Sequence, residues 1–313
     1  MTRRDVLVIG SANVDVSVTT ARLPRPGETV TGHSSLISVG GKGANQAVAA
    51  ARCGATTRFA ACVGDDAFGR MVLERLDDRG VDRRAVQVLH GRATGLATIL
   101  VDAAGQNCIA VASGANAELT PERIDALAGS IAAAGVVVLQ CEIPMASVYR
   151  AVEIAAAAGA RVILNPAPFR GLDLARIRGR VDVLVPNETE AAQIHRHAVT
   201  TSAEAAAAAL ALHAAGIANV IITLGANGCV LAAAGEVRAF PPHIVDAIDA
   251  TGAGDAFVGC LAASLAAGDP LPQAIERATV YAALSTTRQG AQASYADLGD
   301  LERALAAGRR THP

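Results

Sequence analysis

The chain reads as an α/β fold, a largely parallel sheet with helices on both faces, and three features predict it. Short runs of Val, Ile and Leu alternate with Ala-rich stretches of helical length along almost the whole sequence, as βα units do. The composition is 51% apolar but only 3% aromatic, with 30 glycines and no tryptophan, a profile that suits alternating strands and helices. A length of 313 residues also lets roughly 75% of the unfolded chain's surface be buried, so a sizeable core is available.

The elements follow in order. Residues 6–9 form the first strand, 44–51 a helix, 57–61 a strand and 66–78 a helix. The same rhythm gives strand 136–139, helix 146–158, strand 161–164, strand 181–185, helix 189–195, helix 203–214 and strand 220–223. Alanine is the best helix former, so the tract 205–209 is a plain piece of helix. Two places break the pattern. Val14, Val16 and Val18 alternate with polar residues, 29–39 has no helical period, and 96–101 with 108–111 reads as a hairpin. Together they predict a small half-exposed sheet, from about 14–39 and 94–112, lying over a site as a lid. Near the end, 229–231 and 237–240 flank a second hairpin, then helices cover 253–266, 273–285 and 297–307. Arg309, Arg310 and His312 make a polar tail expected to fray.

Composition also excludes functions. A net charge of −2 and so few stacking side chains argue against nucleic acid and against a basic membrane surface. No stretch reaches the ~18 apolar residues of a membrane span, and Asn13 and Asp15 interrupt the first apolar run too early for a signal peptide. The six cysteines are scattered, form no C-x-x-C pair and mostly lie in apolar runs, so all six are expected to be reduced core residues of a cytosolic protein.

Of the 27 basic residues, Lys42 alone is lysine, and it sits in Gly40-Gly41-Lys42-Gly43-Ala44-Asn45. An ammonium is compact where guanidinium is a wide planar fork, so a lone lysine among glycines points to a crowded site. The glycines expose backbone N–H groups, which suits an anion or a polyhydroxyl ligand. The segment from Asp249 to Phe257 holds a second pattern. Gly252, Ala253 and Gly254 can present amides to an anion at a helix start. Asp255 beside them would repel a phosphate unless it takes a proton from an attacking hydroxyl; the alternative is that it caps the helix. A P-loop is excluded by Leu36 and Gly43 at its required positions, and neither glycine segment has dinucleotide-fold spacing. Asn13 and Asp15 after the first strand, Glu142 after another, then Asn165 and 186–190, gather polar groups at strand ends, where open α/β sheets bind ligands.

These motifs resemble the PfkB carbohydrate-kinase family. The likeness covers nearly the whole chain, and Asn13-Val-Asp15, 26–29, 62–66, 165–168, 186–190, 223–225 and 287–292 are similar to its ribokinase branch in particular. The resemblance implies a ribokinase-like three-layer αβα sandwich with a small β-sheet lid, forming a single catalytic domain over 1–313. It implies ATP-dependent phosphorylation of D-ribose at the 5-hydroxyl, with Asp255 as general base. Asn13, Asp15, Gly41, Lys42, Asn45 and Glu142 would hold the sugar, and Gly252, Ala253 and Gly254 the migrating charge. Asn187, Thr223, Gly225, Gly228, Gly254 and Thr279 would line the nucleotide site, and Asn187 and Glu190 would act on Mg²⁺ through water. Asp249, Thr251, Ser285, Arg288, Gly290 and Ser294 match the positions around a monovalent cation, expected to be K⁺. The family often dimerises through the lid strands, so a homodimer is expected. Alternatives are a kinase for another furanose (nucleoside, deoxyribose or fructose) and a non-catalytic sugar or nucleotide sensor. The sequence departs from the ribokinase pattern at His195-Arg196-His197, whose imidazoles, two residues apart on a helix, should face solvent separately.

Overall fold

The computed structural model describes residues 5–310. β1 (Asp5–Ile9) runs into β2 (Asn13–Thr20), followed by β3 (Gly32–Gly40), α1 (Lys42–Arg52), β4 (Thr56–Gly64), α2 (Ala67–Asp78) and β5 (Asp82–Leu89). A hairpin, β6 (Gly95–Val101) and β7 (Asn107–Ala112), precedes two short helices, α3 (Pro121–Ala126) and α4 (Ala128–Ala133). Then come β8 (Val136–Leu139), α5 (Met145–Ala157), β9 (Arg161–Leu164), α6 (Leu174–Ile177), β10 (Val183–Leu184), α7 (Glu188–His195), α8 (Ser202–Ala214) and β11 (Asn219–Thr223). The second hairpin, β12 (Cys229–Ala233) with β13 (Glu236–Phe240), leads to α9 (Ala253–Ala267), α10 (Leu271–Ser285) and α11 (Leu298–Arg310).

The large sheet has the order β13-β12-β11-β10-β9-β8-β1-β4-β5. From β11 to β5 all neighbours are parallel, and β12 and β13 add antiparallel strands at one edge. Both faces are covered, as an all-parallel region requires. In β1 the alternation is direct: Val6 and Val8 join a core with α1, α9 and α10, whereas Leu7 and Ile9 join one with α5 and α8. The chain leaves β1 toward β4 and β5, then returns to the other side of β1 as β8. The crevice at the carboxyl ends of β1 and β8 is therefore the switch point where such sheets take ligands.

A second sheet, β3-β2-β6-β7, stands apart from the first. Its register puts Asp15, Ser38, Ala97 and Val111 in one row and Ser17, Leu36, Ile99 and Ile109 in the next row of the same face. Leu36, Ile109 and Val111 are each more than half exposed, so an apolar surface adjoins Asp15.

Several expectations need correction. β5 was not expected as a strand, because it opens on Asp82-Arg83-Arg84 and lies half-exposed at the sheet edge. The helices α3, α4 and α6 are too short to show a period. Cys108 is exposed on β7, while the other five cysteines are buried; all six are free. α11 carries helical backbone through Arg309 and Arg310 instead of ending at 307, and His312 lies outside the described residues. His197 is exposed as expected and His195 is half-buried, but the two rings are not separate: α7 stops at His195, Arg196 turns left-handed at φ 63°, and the ring centroids lie 4.8 Å apart.

Candidate active site

The start of α1 packs backbone against backbone on the turn between β1 and β2. Gly41 has φ 87°, and a Cβ there would lie 2.7 Å from the Asn13 nitrogen; a Cβ on Gly43 would lie 2.6 Å from the nitrogen of Ser11. This is the crowding that the lone lysine suggested. Ala44 N–H donates to the Ser11 carbonyl at 2.9 Å, closing the joint. Glu142, just past β8, ties the two sides of the crevice together, since its Oε2 accepts from Ser11 Oγ at 2.5 Å and from the Lys42 amide at 3.0 Å. Asn13 is buried, and its Oδ1 accepts from Asn116 Nδ2 at 2.7 Å, so the side chain is held in one orientation.

Asp255 occupies the first turn of α9 but does not cap it. Gly252 is the cap residue, at φ 77°, where a Cβ would lie 2.6 Å from the Ala291 Cβ. The Asp255 carboxylate instead crosses to α1, accepting from Asn45 Nδ2 at 3.0 Å and from Gln46 Nε2 at 2.9 Å. Each amide is fixed by a further partner. Asn45 Oδ1 accepts from Gln292 Nε2 at 3.0 Å, and Gln46 Oε1 accepts from Gln140 Nε2 at 2.6 Å. Gln46 Nε2 also reaches Asn165 Oδ1 at 3.1 Å. Only 6% of Asp255 is exposed.

The charges around this point are coupled. Asp255 raises the pKa of Lys42, burial opposes it, and Glu142 and Glu190 add to the rise, so the ammonium stays protonated. Burial lifts Asp15 to about 6, with repulsion from Glu142 and Asp255 contributing. Glu190 is also raised, mainly by burial. A crevice of carboxylates with one ammonium suits hydroxyl donors, and the amides at the start of α9 are of the kind that suits an anion.

Beyond Gly254 lies a cavity of about 310 Å³, bounded by Thr223, Gly225, Gly228 and Thr279. Its outer wall is the irregular strap 242–247, which sequence reasoning missed because it has neither period nor polar motif. Asn187 sits at the edge, bridged to Thr223. It caps α7 through a capping box, in which Glu190 N–H donates to Asn187 Oδ1 at 2.8 Å and Asn187 N–H to Glu190 Oε2 at 3.0 Å. On the other side, Asp249 accepts from the amides of Thr251 at 2.9 Å and Gly290 at 2.8 Å, drawing their two loops together. Burial alone would raise Asp249, but the hydrogen bonds from Thr251 and Gly290 hold it below the usual carboxylate range. Ser285 and Ser294 are buried, with hydroxyls donating to the carbonyls of Ala282 and Ala291. The Arg288 side chain is exposed. Among the described residues no group of three or more His, Cys, Asp or Glu could hold a metal ion.

The model for pfkB family carbohydrate kinases matches residues 3–298. The chain belongs to that family. Ribokinase from Haemophilus influenzae is 37% identical over 93% of this chain and 95% of its own length, and deoxyribokinase from Salmonella typhi matches with the same identity and coverage. The structure of Arabidopsis thaliana ribokinase, complexed with ribose and ATP, superposes with a TM-score of 0.91 at 31% identity, covering 97% of this chain and 99% of that one.

Within this family fold, the sequence motifs located Lys42, Asn45, Glu142 and Asp255 in one crevice, but not the groups that hold them. Ser11, Gln46, Asn116, Gln140, Gln292 and Tyr295 came only from the structure. Tyr295 OH donates to the Gly252 carbonyl at 3.0 Å, bracing the glycine turn. Gln46 and Gln292 lie beside and inside quoted motifs, and for Gln46 the signal available was a polar residue in the otherwise apolar stretch of α1.

Proposed function

We propose that this chain catalyses ATP-dependent phosphorylation of D-ribose at its 5-hydroxyl. The observation that carries the reading is the Asp255 carboxylate, buried in the first turn of α9 just after the glycine cap, held by two amides of α1 and close enough to Lys42 to raise its pKa. Asn13, Asp15, Gly41, Asn45 and Glu142 hold the sugar hydroxyls, and Lys42 donates to the sugar or to the migrating phosphoryl group. Asp255 takes the proton from the attacking hydroxyl. The amides at Gly252, Ala253 and Gly254 stabilise the charge that develops on the phosphoryl oxygens. The small sheet acts as the lid that excludes water.

The nucleotide lies along Asn187, Thr223, Gly225, Gly228, Gly254 and Thr279. Asn187 and Glu190 fit a Mg²⁺ held through water, since each spends one oxygen on the capping box and keeps other lone pairs. When bound, Mg²⁺ neutralises phosphate charge. Asp249, Thr251, Ser285, Arg288, Gly290 and Ser294 fit a K⁺ site built largely from carbonyl oxygens, because Asp249 already holds those loops side by side. Exposed Leu36, Ile109 and Val111 on one face of the small sheet favour a homodimer that covers them. Five buried free thiols fit a reducing, cytosolic setting.

The Salmonella typhi deoxyribokinase matches at the same identity as the ribokinase, which makes 2-deoxyribose the acceptor to compare with ribose. The deciding experiment is kcat/KM for ATP consumption with ribose, 2-deoxyribose, fructose and a nucleoside. Highest turnover with ribose supports the reading, and a preference for any other acceptor overturns it.

A further inference from the structure

One wall of the nucleotide cavity has a fixed hydrogen-bonding sense. Thr279, Ala282, Ala283 and Thr286 present one side of α10 and its C-cap to the cavity, as spacings of three, four and seven allow. Thr279 Oγ1 donates to the Ile275 carbonyl at 2.9 Å, and Thr286 Oγ1 to that of Ala283 at 2.8 Å. Each hydroxyl has a single proton, so both show the cavity lone pairs only. Cys229 Sγ, 4.0 Å from Thr279 Oγ1, is a weak partner that takes up one lone pair at most.

The two threonines lie at opposite ends. The Thr286 carbonyl accepts from the amides of Ile248 at 2.7 Å and Asp249 at 3.0 Å, which places it beside the loop that enters the glycine turn. Thr279 is seven residues earlier, two turns or about 10 Å along the helix. With phosphates at Gly254, the base falls toward Thr279. The strap contributes Ile244, which lines the same cavity and yet is 82% exposed. An isoleucine left in water at the rim of a slot is covered once a flat ring enters.

Resting on the kinase reading above, we propose that Thr279 selects the base: its oxygen accepts from the exocyclic amine of a 6-aminopurine nucleotide, and a 6-oxopurine is rejected. A 6-oxo group would set acceptor against acceptor in a desolvated slot, which costs about 10–100-fold in affinity. The test is calorimetric binding of ATP and of inosine triphosphate, with Mg²⁺ and without sugar, to the parent, Thr279→Ser and Thr279→Val. The parent and the serine variant should favour ATP by about 10–100-fold. The valine variant should bring the two nucleotides within about 3-fold, chiefly by weakening ATP. Valine keeps the shape and sacrifices only a side-chain bond to the helix, and circular dichroism checks its fold. A parent that binds both nucleotides alike, or a folded valine variant that keeps the parent's ratio, overturns the proposal. Because no sugar is present, failure to phosphorylate ribose would sink the kinase reading without altering this readout.

Discussion

Asp255→Asn separates chemistry from architecture, because the hydrogen-bond geometry sets both effects. A general base is worth about 10²–10⁴ in rate, or roughly 3–5 kcal/mol at 1.36 kcal/mol per decade. The substitution also has a structural cost. Asn45 and Gln46 both donate to the carboxylate, and neither amide can flip without breaking its bond from Gln292 or Gln140. An asparagine therefore turns its own Nδ2 toward one of these donors, leaving a buried mismatch of about 1–3 kcal/mol and a Tm lower by a few degrees. Steady-state turnover with ribose and ATP, ribose affinity by calorimetry and a thermal melt distinguish the two losses. Ribose affinity should change only a few-fold while kcat falls by about 10²–10⁴. A folded variant whose kcat stays within about tenfold of the parent contradicts the general-base assignment.

Three further outcomes follow from the site. Burial raises the Asp15 carboxyl in the folded state to about 6, from an ordinary value of 3.8, so the folded state binds the extra proton between those values and stability falls as pH rises from 4 to 6; Asp15→Asn should raise Tm at pH 8, lose that gain by pH 4, and abolish the rise in ribose KM as pH drops through 6. Replacing a bulky organic cation by K⁺ at constant ionic strength should accelerate turnover, and more than Na⁺ does; an unchanged rate removes the cation assignment. Ile109→Lys on the exposed face of the small sheet should turn a dimer into monomers by light scattering, whereas a parent that is already monomeric refutes that interface.

Much of this arrangement was legible in the sequence, for identifiable reasons. The strands β8 and β9 have the expected limits because four-residue apolar runs between helices leave little choice. Lys42 and Asp255 stood out because glycines flank them and their chemistry needs a neighbour. What could not be read were relations across the fold. Asn45, 210 residues from Asp255, becomes its donor only because α1 and α9 start at the same end of the sheet. The edge strand β5 was hidden by its charges, and the tilted contact between His195 and His197 by a left-handed turn at Arg196 that helical periodicity cannot anticipate. The strap 242–247 has an importance visible only from the cavity that it walls.

The most direct test of the central claim is the position of the phosphate in the product. Incubation of the parent with ribose, ATP, Mg²⁺ and K⁺, followed by phosphorus and carbon NMR, should show one new monophosphate coupled to C5 and an equal amount of ADP. A phosphate on C1, or ADP released without any sugar phosphate, would contradict an Asp255 that deprotonates the 5-hydroxyl.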